Sequence, residues 1–253
     1  MTKNRLYWND IADEYQNITK ISCDDFHFGP LLPGDSILQI LPFDMKYKKC
    51  LELGCGAGQN SIFLSKKGGE CTAVDISDKQ IEYAKKLSKK NNVSIDLICS
   101  SMENLKIEEK GFDFIHSVYA LPFSDKPEDF FLAASKNLDK KGVFLFSTVH
   151  PLMQAEELEL DGEIGVFLND YFDLPVDIRY DENGNELIRS TAYSFSTLSK
   201  WINEAGMLIT RIFEPYTDSD EIKNSPYYSE AWLEYAPKFR RIPSSIIMLC
   251  IKA

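Results

Sequence analysis

The sequence predicts an α/β fold in which a doubly wound parallel sheet carries helices on both faces. Three observations predict it. Short apolar runs alternate with helix-patterned segments from Cys50 onward, the helical segments carry their own start signals, and a glycine cluster stands directly after the first run. Strands buried on both faces read as near-continuous apolar runs, and strand–helix alternation brings parallel neighbours together.

Ahead of the alternation, Trp8, Ile11 and Tyr15 are spaced as one face of an amphipathic helix, and residues 1–46 are read as an N-terminal helical cap. Residues 47–150 form the alternating core. Its apolar runs are Cys50 to Leu53, Cys71 to Val74, Ser94 to Ile98, Phe112 to Val118 and Val143 to Val149. Between them, Ser77 with Gln80 three residues on makes a capping box ahead of Ile81, Ala84 and Leu87, and Pro127 early in Asp125 to Glu128 opens another helix. The pattern breaks from about Pro151 to Thr191, an acidic and aromatic stretch with neither period, so residues 151–195 are read as an inserted lid. Regular structure resumes in residues 196–253. Ser196 starts a helix with Leu198, Trp201, Ile202 and Ala205 on one face, Met207 to Phe213 follows as a strand, and Ser245 to Ile251 is a final buried strand after a polar, aromatic insertion at 216–243.

Composition narrows the partners. With 253 residues and 44% hydrophobic content, the chain can bury a core without a staple, as one domain. Its formal net charge of −11 repels a phosphate backbone, so no nucleic acid is expected. The six cysteines form no C-x-x-C pair, which indicates neither a zinc site nor a disulfide framework, and no metal is expected. Met1 to Asp10 has no apolar core segment, and the run Ile246 to Ile251 is about a third of a membrane span. The expectation is a soluble cytoplasmic protein with no membrane partner, a monomer or a homodimer.

The glycine cluster is Leu51-Glu52-Leu53-Gly54-Cys55-Gly56-Ala57-Gly58-Gln59. Such a turn lets a backbone approach a ligand closely and presents helix N-terminal N–H groups to it. The dinucleotide fingerprint would need glycine where Gln59 stands, and the phosphate loop with its lysine is absent. A ligand without a pyrophosphate needs neither. Asp75 ends the second strand, 19 residues beyond Gly56, where a carboxylate can accept from the 2′- and 3′-hydroxyls of a ribose. Glycine turn and acid together make a nucleoside site.

From about Lys48 to His150 the chain resembles the class I (Rossmann-like) S-adenosylmethionine-dependent methyltransferases, and its flanks Asp24-Asp25-Phe26-His27-Phe28-Gly29-Pro30 and Pro33-Gly34, with Trp8, Ala12 and Tyr15 ahead, resemble a bacterial small-molecule subgroup of that family. The glycine cluster is similar to that family's first motif, and Ala73-Val74-Asp75-Ile76-Ser77 to its second. Ser100-Ser101-Met102-Glu103-Asn104-Leu105 is similar to the adenine-binding turn, Gly111 to Val118 to the fourth strand, and Lys140-Lys141-Gly142-Val143 to the turn before the fifth. The resemblance implies seven strands, mostly parallel, with the last one antiparallel. It also implies S-adenosyl-L-methionine as cofactor, with Gly54, Cys55 and Gly56 against the methionine part and Glu52 near its amino group. Asp75 would hold the ribose and Ile76 would pack beside the adenine, with Met102 and Glu103 at its rim. Ser117 and Val118 would lie under the sulfonium, while Tyr15, Asn60, Gln80 and Ser101 complete the cofactor set. Ser101 stands where many relatives have Asp.

Methyl transfer from a sulfonium is an in-line displacement, which makes positioning the main task. A hydroxyl or protonated amine acceptor would need a base, and His27 and His150, in or next to turns near the site, are the candidate catalytic residues. A thiol acceptor would need less help. His116, inside a strand pattern, reads as structural. Phe28, Tyr119 and Phe123 are the candidate substrate pocket. No Asn/Asp-Pro-Pro-aromatic turn follows the fourth strand and no Pro-Cys pair occurs, which argues against the methylation of nucleic-acid bases. The expected function is therefore methyl transfer to an O, N or S atom of a small acceptor, cationic or apolar, over which the insertions close. The alternatives are a tRNA or protein methyltransferase and a non-catalytic S-adenosylmethionine-binding partner protein.

Overall fold

The computed structural model of the protein describes residues 2–108, 111–216 and 222–253. Seven strands form its central sheet: β1 (Lys49–Leu53), β2 (Glu70–Asp75), β3 (Asp96–Cys99), β4 (Phe112–Val118), β5 (Leu138–Val149), β6 (Met207–Phe213) and β7 (Ser245–Lys252), in the order β6-β7-β5-β4-β1-β2-β3. Strands β1 to β5 run parallel to one another, and β7 lies antiparallel between β5 and β6. The mostly parallel sheet with its antiparallel last strand is thus present.

Helices α3 (Gln59–Lys66), α4 (Asp78–Lys90) and α5 (Pro127–Asn137) make the crossovers β1–β2, β2–β3 and β4–β5, while α6 (Phe195–Glu204) precedes β6. Alternate residues of the central strands feed two apolar layers. Phe144, Phe146, Ile246 and Met248 face Phe130, Phe131, Leu198 and Ile202 of α5 and α6. Leu145, Ile247 and Leu249 face the other way, onto Phe26, Phe28, Phe63 and Leu64. Removing one such buried phenylalanine side chain typically costs about 3–5 kcal/mol.

Two start signals shift in detail. Ser77 caps α4, its hydroxyl accepting from the Gln80 N–H at 3.1 Å, but the reciprocal half of the box is missing. The Ser77 N–H goes instead to Asp75 Oδ1 at 2.9 Å, and the Gln80 side chain accepts from Gln16. Helix α6 is capped by Ser194 rather than opened at Ser196.

The chain leaves the sheet centre at β1, winds outward through β2 and β3, and returns to β4 on the other side of β1. Open α/β sheets bind ligands at the carboxyl ends of the strands where the order reverses, here between β1 and β4. Above that point lie α1 (Lys3–Asp10) and α2 (Ala12–Ile18), divided at Ile11 rather than continuous. Two hairpins, 156–160 with 163–167 and 176–180 with 186–191, stand outside the central sheet. The first had no readable period because none of its strand residues is buried, so no face alternates. Its signal is the Asp161-Gly162 turn, both residues at positive φ, as a two-residue hairpin requires. Lys20–Ile21 pairs with Tyr227–Tyr228 and ties the late insertion to the N-terminal segment. Among the described residues, no helix is long and apolar enough to cross a membrane.

Candidate functional site

A cavity of about 840 Å³ opens at the carboxyl ends of β1, β2 and β4. One end is built from the segments that carry the sequence motifs. Gly54 and Gly56 line it with φ of 72° and 54°. A Cβ on Gly54 would overlap the Ala120 methyl, so the turn after β1 passes the turn after β4 only without a side chain. At Gly56 the nearest atom to such a Cβ is Gln80 Oε1 at 3.9 Å, and the missing side chain leaves open space on the cavity side.

Asp75 sits at the end of β2, facing the same end. Its Oδ2 accepts from the Gly56 N–H at 2.8 Å and its Oδ1 from the Ser77 N–H at 2.9 Å. Burial raises its pKa while these backbone donors oppose the shift. A carboxylate has about four lone-pair sites, so this anchored one retains acceptor capacity for two hydroxyls. Ile76 and Gln80 line the wall next to it, and Ser101, Met102 and Glu103 the neighbouring one. The Glu103 carboxylate takes hydrogen bonds from the hydroxyls of Ser101 and Ser124, the latter at 2.7 Å. Val118 forms part of the floor and Tyr15 part of the roof, where its hydroxyl meets that of Tyr227.

Four expected cofactor residues stand one layer behind this wall. Cys55 is buried, its thiol against the Gly56 carbonyl. The Asn60 amide clamps the backbone of His27, accepting from its N–H at 2.9 Å and donating to its carbonyl at 3.0 Å. Ser117 donates to the Leu53 carbonyl at 2.7 Å and so ties β4 to the glycine turn. Glu52 accepts from the N–H and hydroxyl of Ser61, with His116 Nδ1 3.8 Å away. Burial pushes Glu52 up to about 8 and His116 down to about 3, so the pair is held neutral near neutral pH.

The histidines and Phe28 also lie off the cavity wall, contrary to the expectation that they face the reaction. His27 is buried with its ring 4.9 Å from that of Tyr227, and burial pushes it down to about 3, too weak a base for general catalysis near neutrality. His150 caps the turn 151–154: Nδ1 accepts from the Leu152 N–H at 3.1 Å and Nε2 is 2.8 Å from Glu214. Both of its ring nitrogens are thereby engaged. Phe28 packs on Phe26 in the core, because its side chain points into the layer beneath β5. Tyr119 and Phe123 do line the cavity, Tyr119 with its hydroxyl on Ser245 and Phe123 edge-on to Trp8 at 5.1 Å.

The other end was not foreseen residue by residue. It is walled by Leu31, Met153, Tyr227, Trp232, Tyr235, Lys238 and Phe239, with Tyr7 and Arg179 at the mouth. Arg179, from the second hairpin, donates to the Tyr7 hydroxyl at 2.5 Å and lies 3.9 Å from Asp177. Asp75 and Glu103 thus line the motif-bearing end, and Lys238 and the Arg179–Asp177 pair line the cavity elsewhere. Among the described residues, no group of three or more His, Cys, Asp or Glu is placed to hold a metal ion.

Residues 51–146 match the family model described as a methyltransferase domain. A ubiquinone biosynthesis O-methyltransferase of Pelagibacter ubique is 32% identical over 111 residues, which cover 44% of this chain and 46% of that protein. The chain thus matches less than half the length of that curated relative. Among solved structures, an S-adenosylmethionine-dependent methyltransferase from Mesorhizobium loti superposes with a TM-score of 0.68 at 18% identity, covering 85% of this chain and 95% of that one. Another from Clostridium acetobutylicum gives 0.56 at 17% identity over 98% and 92%. At these identities the structural likeness speaks for the fold.

Proposed function

From the match of residues 51–146 to a methyltransferase domain model, we propose that this chain is an S-adenosylmethionine-dependent enzyme that transfers a methyl group to a nucleophilic atom of a small acceptor. The observation that carries the reading is Asp75, fixed by the Gly56 and Ser77 N–H groups and turned to the cavity end where Gly54 and Gly56 present bare backbone. The residues fit S-adenosyl-L-methionine. Asp75 would hold the ribose hydroxyls, Gly54 and Gly56 the methionine part, and Ile76, Met102 and Glu103 the adenine. When bound, the sulfonium supplies an electrophilic methyl group.

The protein's own contribution is positional. Gly54 without a side chain lets the turns after β1 and β4 close on each other, and Ser117, bonded to the Leu53 carbonyl, holds that spacing. Glu52, neutral when empty, is one layer below the methionine end and would ionise as an ammonium approached, orienting it through the Ser61 side of the turn. Aromatic side chains of the N-terminal helices and of residues 227–239 line the remaining space, where a bound acceptor would displace water. A cavity of about 840 Å³ holds one nucleoside-sized and one small molecule together, which favours a small acceptor over a macromolecular one. The name of the Pelagibacter relative, an O-methyltransferase of ubiquinone biosynthesis, supports the same class.

Calorimetry with S-adenosylmethionine tests the site. Asp75→Ala is expected to cost about 2–4 kcal/mol of affinity, roughly 30- to 1000-fold, through lost charged hydrogen bonds. Unchanged affinity, or preference for NAD, removes the assignment. Incubation of the chain with labelled methyl donor and a metabolite extract, followed by identification of the labelled product, then names the acceptor.

A further inference from the structure

The end of the cavity away from Asp75 contains one half-buried ammonium. Lys238 Nζ donates to the Met153 carbonyl at 2.7 Å and lies 5.9 Å and 5.8 Å from the ring centroids of Tyr235 and Phe239. Burial lowers its pKa. An ammonium has three donors, and a single carbonyl accepts from one of them. The acids around it do not complete the shell. Glu156 and Glu157 act on it only through space, Glu157 being 3.4 Å from Arg241, and Asp177 across the mouth is beside Arg179. Among the described residues, no carboxylate lies within ion-pair distance of Lys238.

Resting on the methyltransferase reading, we propose that this end takes an acceptor with a planar apolar body and a carboxylate, the body against Trp232 and Tyr227 and the carboxylate on Lys238 Nζ. An incoming carboxylate would accept a charge-assisted hydrogen bond in a site already shielded by rings. A single ammonium suits a monoanion better than a phosphate, which favours several donors or a guanidinium fork. A cationic acceptor, which the aromatic wall alone would also suit, meets a like charge here. With Arg179 beside Asp177, the ammonium of Lys238 is, among the described residues, the cavity's uncompensated cation, and the expectation of a cationic or apolar acceptor is revised to an anionic aromatic one.

The test is calorimetric titration of the full chain, with and without saturating S-adenosylhomocysteine, using phenylacetate, cinnamate and indole-3-acetate beside their primary amides. At least one acid is expected to bind about 10- to 100-fold tighter than its amide, the range for a hydrogen bond to a charged group. Lys238→Met should abolish that preference and Lys238→Arg should keep it, with the affinity for S-adenosylhomocysteine within about twofold in both variants. Equal binding of acids and amides, no binding of any acid, or a preference that survives Lys238→Met overturns the proposal. Failure of the wild-type chain to bind S-adenosylhomocysteine would instead remove the methyltransferase reading, and the titrations without it keep the two outcomes apart.

Discussion

The two ends of the cavity are made differently. The proposed cofactor end is largely a backbone structure: Gly54, Gly56 and Asp75 lie at the ends of adjacent parallel strands, where the Gly54 N–H donates to the Val74 carbonyl and the Gly56 N–H to the Asp75 carboxylate, all within 22 residues of sequence. The acceptor end is a side-chain structure. Tyr7, Met153, Arg179, Tyr227 and Lys238 come from segments scattered over the chain and meet through a two-residue strand pairing and ring contacts. A site built of backbone tolerates almost no change and suits an invariant ligand, whereas a wall of long and aromatic side chains can be exchanged without touching the sheet.

If this contrast is right, the largest effect of a small substitution falls at the cofactor end. Gly54→Ala combines a left-handed residue with overlap on Ala120 and is expected to cost about 3 kcal/mol, lowering Tm by roughly 6–12 °C, with S-adenosylmethionine binding lost. A variant that melts and binds like the parent would break the contrast at its strongest point.

Glu52→Gln sharpens it through pH. The folded-state pKa of Glu52 is raised to about 8, so its favourable contribution is complete below about pH 4.5, declines above that and is lost through pH 8. His116 has the opposite sign, its contribution being present above about 6.5 and lost as pH falls toward 3. Between pH 6.5 and 9 only Glu52 of the two changes charge, and the Tm of Glu52→Gln relative to the parent should rise by about 4–8 °C across that window. A difference that stays flat with pH would show the carboxyl to be ionised in the fold. Gly56→Ala, with the same backbone demand as Gly54 but no overlap, should cost only about 1–2 kcal/mol by thermal melting. Equal losses at Gly54 and Gly56 would mean that backbone conformation alone accounts for both.

At the acceptor end, Trp232→Ala is expected to raise the acceptor KM about tenfold while Tm and S-adenosylhomocysteine affinity stay nearly constant, since the ring packs on Tyr227 at 5.2 Å outside the main core. A Tm loss comparable to that of Gly54→Ala would mean that this wall carries the fold as well. The smallest effect belongs to His150→Asn, which exchanges one cap for another and should change kcat less than about threefold. A loss of 10²-fold or more, with disappearance of a pH-rate limb, would put that imidazole back into the chemistry.

The difference between the ends also explains what could be read from sequence. Gly54 and Asp75 could be read from local chemistry, since a tight turn demands glycine and a ribose an acceptor acid, whereas Met102 and Glu103 came only from the family resemblance; all four line the cavity. The resemblance also placed Cys55, Asn60 and Ser117 at the ligand, and the structure turns them one layer behind the cavity wall, because a motif specifies an order along the chain but not which of two adjacent side chains faces outward. His27 and His150 failed for a related reason. Their loops do approach the site, but burial against Tyr227 and capping of residues 151–154 decided where the rings point.

By itself the sequence determined the seven strands, their alternation with helices, and the glycine turn and acid that meet after β1, since these depend on local periodicity and backbone conformation. Only the tertiary structure decided that a lysine 163 residues beyond Asp75 shares its cavity, that two exposed hairpins stand outside the sheet, and that Glu52 and His116 meet in the core. Contacts of that kind are set by packing across the whole fold, and no short stretch of residues records them.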